Sequence, residues 1–256
     1  MKEKFSKAVS TGLVTKIIVI VAICALLASA GLIGAKVVID KRAEEATTAQ
    51  VEESAVASIT PDSDDSATYS GTYGNDIAWS FDKNTGALSI TGTGDLAVND
   101  LTPPWGVYKL QIKSIEIGNG VTAIGDWVFE TYESVTSVTI SDSVTSIGNG
   151  AFTYCENITS VTIGDGVKTI GEDAFRHCHS LANLTLGNSV EVIGNYAFNN
   201  CNGLTSLTIP DSVTTIGDGA FSGCNRMLEG VAVVPDSVIN MGEDVFRCTS
   251  LAADSE

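Results

Sequence analysis

The sequence predicts a β-rich solenoid whose repeating unit spans twenty-three residues, the interval from Phe129 to Phe152. Three features support this prediction: phenylalanines, Ile-Gly pairs and cysteines each recur at that same interval. A fixed period in the twenties is typical of proteins in which each repeat stacks on its neighbours. The periodic phenylalanines and cysteines are Phe129, Phe152, Phe175, Phe198, Phe221, Phe246, Cys155, Cys178, Cys201 and Cys224, with Phe246 displaced by two positions.

The N-terminal segment predicts export. Residues 1–16 are basic and are expected to stay in the cytoplasm, followed by a transmembrane anchor or signal sequence at residues 17–39. Nineteen uncharged residues, from Ile17 to Ala35, approach the length that spans a bilayer, so an uncleaved single-pass anchor is favoured. Cleavage near Ala30 is the alternative, because small residues stand there behind an apolar run. A lipoprotein is less favoured, since Ile23 precedes Cys24.

Residues 40–68 predict a disordered acidic stalk, because this segment is rich in Glu and Asp and contains no aromatic residue. The next segment, residues 69–109, predicts a β cap. It contains two alternating stretches, "IAWSF" and "ALSIT", joined by the turn-like "DKNTG", which together indicate a hairpin. Trp79 and Trp105 lie here and Trp127 follows, and large aromatic side chains suit the buried core of a cap. Stacking of these rings on sugars is the alternative.

Six repeats are predicted over residues 110–248, followed by a polar tail at 249–256. In the unit Asn202–Cys224, alternation in "SLTI" places Leu207 and Ile209 inward and Ser206 and Thr208 outward on a short strand. Gly217 recurs in every copy, which indicates either a positive φ or a close approach of two backbones. Ala220-Phe221 is expected on a short helical turn. One repeat buries too little apolar surface to offset the entropy of ordering its chain, so only the stack is stable.

The stretch "LTSLTIPDSVTTIGDGAFSGC" resembles the repeat of the BspA-like subclass of leucine-rich-repeat proteins, and the segment from "SGTYGNDIAWSF" to "PPW" resembles what often precedes such repeats. The resemblance covers about residues 69–248. It implies a leucine-rich-repeat solenoid with a parallel sheet on one face. It also implies a bacterial surface protein that adheres to host matrix or to other cells.

The periodic cysteines are expected to be buried, unreactive thiols. Equivalent side chains on stacked strands point the same way, so their Cβ atoms stay farther apart than a disulfide prefers. Disulfides remain the alternative because the protein is exported. His177 and His179 are expected at the surface, since a metal site needs three or four convergent ligands. No phosphate-binding loop or catalytic triad is legible, so the sequence predicts no enzyme and no cofactor.

The outward strand positions form the predicted ligand face. They are small hydroxyl residues with two exceptions, Glu116 and Asn183, and such residues also simply suit exposed strands. The face consists of Ser114, Glu116, Ser137, Thr139, Ser160, Thr162, Asn183, Thr185, Ser206 and Thr208.

The predicted partner is an extracellular protein or glycan. Nucleic acid is disfavoured, because residues 43–256 carry all but two of the 31 acidic residues and only half of the 14 basic ones. The predicted location is the cell surface. The alternative function is a structural component of the envelope that self-associates or packs against the wall, with Leu251 marking where a seventh strand would begin.

Overall fold

Each repeat contributes two short strands, which pair with equivalent strands of the neighbouring repeats. The computed structural model describes residues 67–74, 76–96, 103–227 and 232–247. Two compact units divide the chain, residues 1–52 and 53–256, and every described residue belongs to the second unit. The predicted anchor, most of the predicted stalk, Ala30, Cys248, Leu251 and the tail lie outside the described residues. No helix within these four ranges is long and apolar enough to cross a membrane.

Sixteen strands are present in the described part of the chain. They are β1 (Thr68–Tyr73), β2 (Ile77–Asp82), β3 (Ala87–Gly92), β4 (Gly94–Leu96), β5 (Ser114–Ile117), β6 (Val121–Ile124), β7 (Ser137–Ile140), β8 (Ser146–Ile147), β9 (Ser160–Ile163), β10 (Thr169–Ile170), β11 (Asn183–Thr185), β12 (Val192–Ile193), β13 (Leu207–Thr208), β14 (Thr215–Ile216), β15 (Ala232–Val233) and β16 (Asn240–Met241). A 3-10 helix covers Pro104–Tyr108.

Sheet A has the order β1-β2-β3-β5-β7-β9-β11, and sheet B has the order β4-β6-β8-β10-β12-β14-β16. The repeat strands pair in parallel in both sheets, and each residue pairs with its equivalent in the next repeat, as Ser137 does with Ser160. The β-rich solenoid is therefore confirmed, with two parallel sheets where one was expected. Sheet A stops at β11, because β13 pairs with β15 in a separate two-stranded sheet.

The cap continues sheet A. β1, β2 and β3 pair antiparallel, and β3 then pairs in parallel with β5 of the first repeat. β1 begins at Thr68, the last residue of the segment predicted as stalk. Between β2 and β3, the Asp82 carboxylate accepts a hydrogen bond from the backbone N–H of Asn84 at 2.8 Å, which lowers the pKa of Asp82. That contact fixes the predicted turn.

A third backbone ladder closes each repeat. The segments 126–131, 149–154, 172–177, 195–200, 218–223 and 243–247 form what we call the turn face. Within it, N–H groups of one repeat donate to carbonyls of the next, as from Trp127 to Asn149 at 3.0 Å and from Gly150 to Glu172 at 2.8 Å. Positive φ angles recur along this face, at Trp127, Tyr154 and equivalent positions. At Ala220-Phe221, where a short helical turn was expected, the chain forms a hydrogen-bonded turn from Gly219 to Ser222, flanked by the positive φ angles of Gly219 and Gly223.

The core is a set of parallel columns. The phenylalanine rings stack with centroids 5.0 Å to 5.7 Å apart from Phe129 to Phe246, and Trp105 extends the column into the cap, 6.2 Å from Phe129. All of these rings are fully buried except Phe246, which is half-buried. Since each ring contacts the rings above and below, the column joins cap and repeats into one core.

Candidate binding surfaces

The outer face of sheet A carries eight of the ten predicted ligand residues, in two rows. The first row pairs Ser114 with Ser137, Ser137 with Ser160 and Ser160 with Asn183. The second row runs in the same order from one strand to the next: Glu116, Thr139, Thr162 and Thr185. Residues of the second row are exposed, whereas the three serines of the first row are half-buried.

Ser206 and Thr208 do not join these rows. Ser206 precedes β13, and Thr208 pairs with Val233 of β15 instead of with Thr185. Both side chains are exposed, but they lie beyond the point at which sheet A stops. The predicted face is thus divided after Asn183 and Thr185.

The cap lengthens the same face, which the sequence reasoning missed. Ser70 pairs with Ser80, Ser80 pairs with Ser89, and Ser89 pairs with Glu116. The second row therefore crosses all seven strands of sheet A, and six spacings of about 4.8 Å give it a length of about 29 Å. The signal in the sequence is the alternation in "TYSGTY" and "IAWSF", which places Ser70 and Ser80 on the outward side of their strands.

Buried thiols form a second column in the interior. Cys155, Cys178, Cys201 and Cys224 are free and have no exposed surface. Each Sγ donates to the carbonyl of the phenylalanine 26 residues earlier, at distances from 3.1 Å to 3.4 Å. Burial raises the pKa of all four, to about 12 for Cys155 and for Cys224. These groups are packed as free thiols in the core, which agrees with the expectation of thiols over disulfides.

The two histidines form a pair, with His177 on the turn face and His179 two residues beyond it. Nδ1 of His177 lies 3.3 Å from Nε2 of His179, and the ring of His177 stacks on Tyr154 with 4.6 Å between centroids. Burial lowers the pKa of His177, with smaller contributions from Arg176 and His179. In the described ranges, no cluster of three or more His, Cys, Asp or Glu side chains has the geometry to hold a metal ion.

The three tryptophans separate into two environments. Trp79 and Trp105 are buried in the cap core, as their size predicts. Trp127 is 49% exposed and lies on the turn face, where its ring covers Gly150 so closely that a Cβ at Gly150 would overlap two ring carbons. Tyr154 and Tyr196 are also exposed on this face, and the sequence reasoning did not single them out. Their positions, one repeat after Thr131 and Asp173, are the signal that places them there.

This fold and these columns define the class of leucine-rich-repeat solenoids. Within it, the chain belongs to the family described as BspA type leucine rich repeat region, of which six copies match over residues 107–228 and 168–253. The resemblance that the repeat motif suggested is therefore confirmed.

Solved structures of bacterial leucine-rich-repeat proteins are similar to this chain. A leucine rich repeat protein of T. pallidum is 21% identical, with a TM-score of 0.47, over 69% of this chain and 87% of that one. A leucine rich cell surface protein of Faecalibacterium prausnitzii A2-165 is 27% identical, with a TM-score of 0.49, over 74% of this chain and 54% of that one. A leucine-rich repeat protein of Bacteroides ovatus is 22% identical, with a TM-score of 0.43, over 66% and 55%. No curated protein matches the sequence.

Proposed function

We propose that the protein is a non-enzymatic binding protein of the bacterial-type cell surface, which recognises an extracellular protein or glycan with its solenoid. The observation that carries this proposal is the outer face of sheet A, with its registered row of hydroxyls and one carboxylate across seven strands. Each side chain in the row is short and the strands are in register, so the surface offers many hydrogen-bonding groups at even spacing and little relief. Extended partners suit such a surface better than small substrates, which usually occupy concave pockets.

The location completes the proposal. Residues 17–39 would hold the protein in the membrane or direct its secretion, and residues 40–68 would carry the solenoid away from the lipid. Export also agrees with unreactive, buried thiols, because they need no reducing environment to stay free.

Introduction of positive charge on the outer face of sheet A tests the proposal. We expect the full chain, kept in mild detergent, to retain a partner from immobilised matrix proteins or a glycan array. Thr139→Lys and Thr162→Lys place long cations in the row and should weaken that binding at least tenfold.

The matched control is Thr145→Lys, at the exposed residue that precedes β8. Lys168 already occupies the equivalent position one repeat later, so the solenoid tolerates lysine there. Loss of binding in all three variants would indicate a general charge effect, and a wild-type chain that retains no partner would contradict the proposal.

A structural role in the envelope is the second candidate, and the last repeat favours it. Ile239 is 78% exposed and Met241 is 54% exposed, whereas Ile216, the residue that pairs with Met241, is buried. An exposed strand edge with large apolar side chains is a template for stacking a second copy.

Light scattering tests this second candidate. The expected result is concentration-dependent association of the full chain. Ile239→Thr should abolish this association, because it removes the exposed apolar side chain. The fold should tolerate threonine there, because Thr214 occupies the equivalent position one repeat earlier. A chain that stays monomeric at high concentration would exclude self-association.

A further inference from the structure

The turn face carries aromatic rings where its backbone has no need of them. The first positive-φ position of each repeat is Trp127, Gly150, Asp173, Tyr196, Gly219 or Asp244. The second such position is Thr131, Tyr154, His177, Asn200 or Gly223. Glycine adopts a positive φ without the steric cost that a Cβ brings, and it occupies three of these positions. The aromatic residues at the remaining positive-φ positions are therefore not required by the backbone conformation, which suggests another role for their rings.

Four side chains at these positive-φ positions form one continuous patch across three repeats, and the adjacent Arg176 connects them. The four are Tyr154, Asp173, His177 and Tyr196. Tyr154 stacks on His177 with an angle of 13° between the rings, and the adjacent Arg176 places its guanidinium 5.7 Å from the centroid of Tyr196. Arg176 also pairs with Asp173 at 3.2 Å. The backbone beneath is clamped, since the N–H groups of Tyr154 and Tyr196 each donate to the next repeat at 2.8 Å. The rings are thus fixed before any partner arrives.

A groove continues the patch beyond Tyr196. Its volume is about 190 Å³, and its lining includes Tyr196, Ser222, Asp244 and Arg247. Tyr196 is 41% exposed and Tyr154 is 43% exposed, although the ring of Tyr196 rests on Gly219, where a Cβ would lie 2.5 Å from it. One face of the Tyr154 ring is packed on His177, and the Tyr196 ring lies between Gly219 and the guanidinium of Arg176. About two-fifths of each side chain remains exposed to solvent. Carboxylate, hydroxyl and guanidinium groups stand beside the rings.

We propose that this patch binds a neutral glycan, with the ring of Tyr154 stacking on one sugar ring and the exposed part of Tyr196 contacting the next sugar. One side of a pyranose ring is an array of C–H groups that packs on an aromatic face, while its hydroxyls need donors and acceptors at the edge. Asp173, Arg176 and Asp244 provide both kinds of group. Anionic glycans are excluded by charge, since the chain has a formal net charge of -17 and the groove is lined by Asp218, Glu243 and Asp244. This inference rests on the proposed binding function and assigns it a ligand class and a second surface.

The test uses the full chain and immobilised neutral polysaccharides, namely a β-glucan, a mannan, a xylan and a galactan, with polygalacturonate as the anionic probe. We expect retention by at least one neutral polysaccharide and none by polygalacturonate. Tyr154→Gly and Tyr196→Gly should each weaken binding at least tenfold. Glycine is native at equivalent positions, so the thermal midpoint should change little. Tyr154→Phe keeps the ring and should keep most of the binding.

Thr131→Gly is the matched control, because Thr131 has the same positive φ as Tyr154 one repeat earlier and carries no ring. It should bind as the wild type does. Unchanged binding in both tyrosine variants, or retention of polygalacturonate alone, would overturn the glycan inference. A chain that retains a protein partner through sheet A, lost in Thr139→Lys and Thr162→Lys, but retains no neutral polysaccharide would also overturn it, while leaving the proposed function intact. A wild-type chain that retains neither a protein nor a polysaccharide would contradict both the glycan inference and the proposed binding function.

Discussion

The four periodic cysteines are packing groups, and their chemistry follows from their burial. Each Sγ lies beneath a carbonyl of the previous repeat, and the raised pKa values leave almost no thiolate at neutral pH. Tyr132 takes the equivalent position in the first repeat, where burial also raises its pKa. A phenol and a thiol are interchangeable there because both are buried and uncharged.

We predict that none of these four cysteines reacts with iodoacetamide in the native protein. After unfolding in guanidinium chloride, all four should be alkylated, because the thiols are then exposed and ionise normally. Peptide mass spectrometry measures alkylation at each cysteine separately, so the four periodic cysteines are distinguished from Cys24 and Cys248. Native alkylation at Cys178 or Cys201, the two at the centre of the column, would contradict the burial.

His177 makes stability depend on pH. Its pKa is lowered, first by burial and then by Arg176 and His179, with Asp173 and Glu156 acting in the opposite direction. The unfolded chain binds this proton more readily than the folded chain. The contribution of His177 to the free energy of unfolding should therefore be constant above about pH 6.5 and should be lost as the pH drops through the lowered pKa.

Denaturant unfolding at several pH values measures this effect, and His177→Gln should remove it. An NMR titration of the imidazole checks the cause. His179→Gln removes the electrostatic contribution by which His179 lowers the pKa of His177, so that pKa should rise in the variant. A wild-type pKa at or above the ordinary value of a histidine would show that the ring is not shielded as described.

Much of the residue detail was predictable from the period, but the reasons behind it were not. The glycine of each Ile-Gly pair was expected either to have a positive φ or to allow close approach. Close approach is the reason: a Cβ at Gly171 would lie 2.7 Å from the carbonyl carbon of Gly148, and φ is outside the left-handed region. The positive φ belongs two residues later, at Asp173. Sequence spacing shows that a residue recurs, whereas only the stacked neighbour shows what it touches.

The phenylalanine column is the element that makes the repeats interdependent. Phe175 stacks on Phe152 at 5.1 Å and on Phe198 at 5.2 Å, with rings almost parallel. Phe175→Ala leaves a cavity between two layers that cannot close without shifting the sheets. We expect it to lower the free energy of unfolding by about 3–5 kcal/mol.

Phe246→Ala is the matched comparison at the end of the same column. Its ring stacks on Phe221 at 5.7 Å and is half-buried, so less contact is lost. The expected loss is at most half that of Phe175→Ala, measured by urea unfolding. Equal losses in the two variants would mean that the column does not couple adjacent layers.

At the level of elements, the sequence predicted the strands of sheet A from β2 to β11, but it missed β1 and the composition of the sheets. Alternation in "SVTI" correctly places Val138 and Val161 inward and the hydroxyl residues outward. Strands of two residues, such as β8 and β10, are too short for alternation to reveal, so sheet B was missed. The junction of β3 with β5 was also missed, because register between a cap and a repeat depends on tertiary pairing.

At the scale of the whole molecule, charge limits the choice of partner. All but two of the 31 acidic residues follow residue 42, and exposed or half-buried side chains such as Asp126, Glu172 and Asp218 line the turn face. A polyanion approaching this surface meets repulsion over most of its length. Neutral glycans and proteins with basic patches remain compatible with it.

The stack should also be unequally stable from one end to the other. Near the N-terminal end, the aromatic residues Trp79, Phe81 and Trp105 cover the first repeat and are buried. In the last repeat Ile239 and Met241 are exposed and Phe246 is half-buried. Because each layer of a solenoid is stabilised by its neighbours, opening should begin where one side is poorly covered.

Hydrogen exchange followed by mass spectrometry measures this gradient. We expect slow exchange from β2 through β12 and markedly faster exchange at β16. Deuterium uptake at β16 should fall as the protein concentration rises if copies stack through that edge, and Ile239→Thr should remove the concentration dependence. Uniform protection from β5 to β16 would contradict the gradient. If deuterium uptake at β16 does not depend on protein concentration, copies do not stack through that edge. The function would then rest on the binding surfaces of sheet A and the turn face.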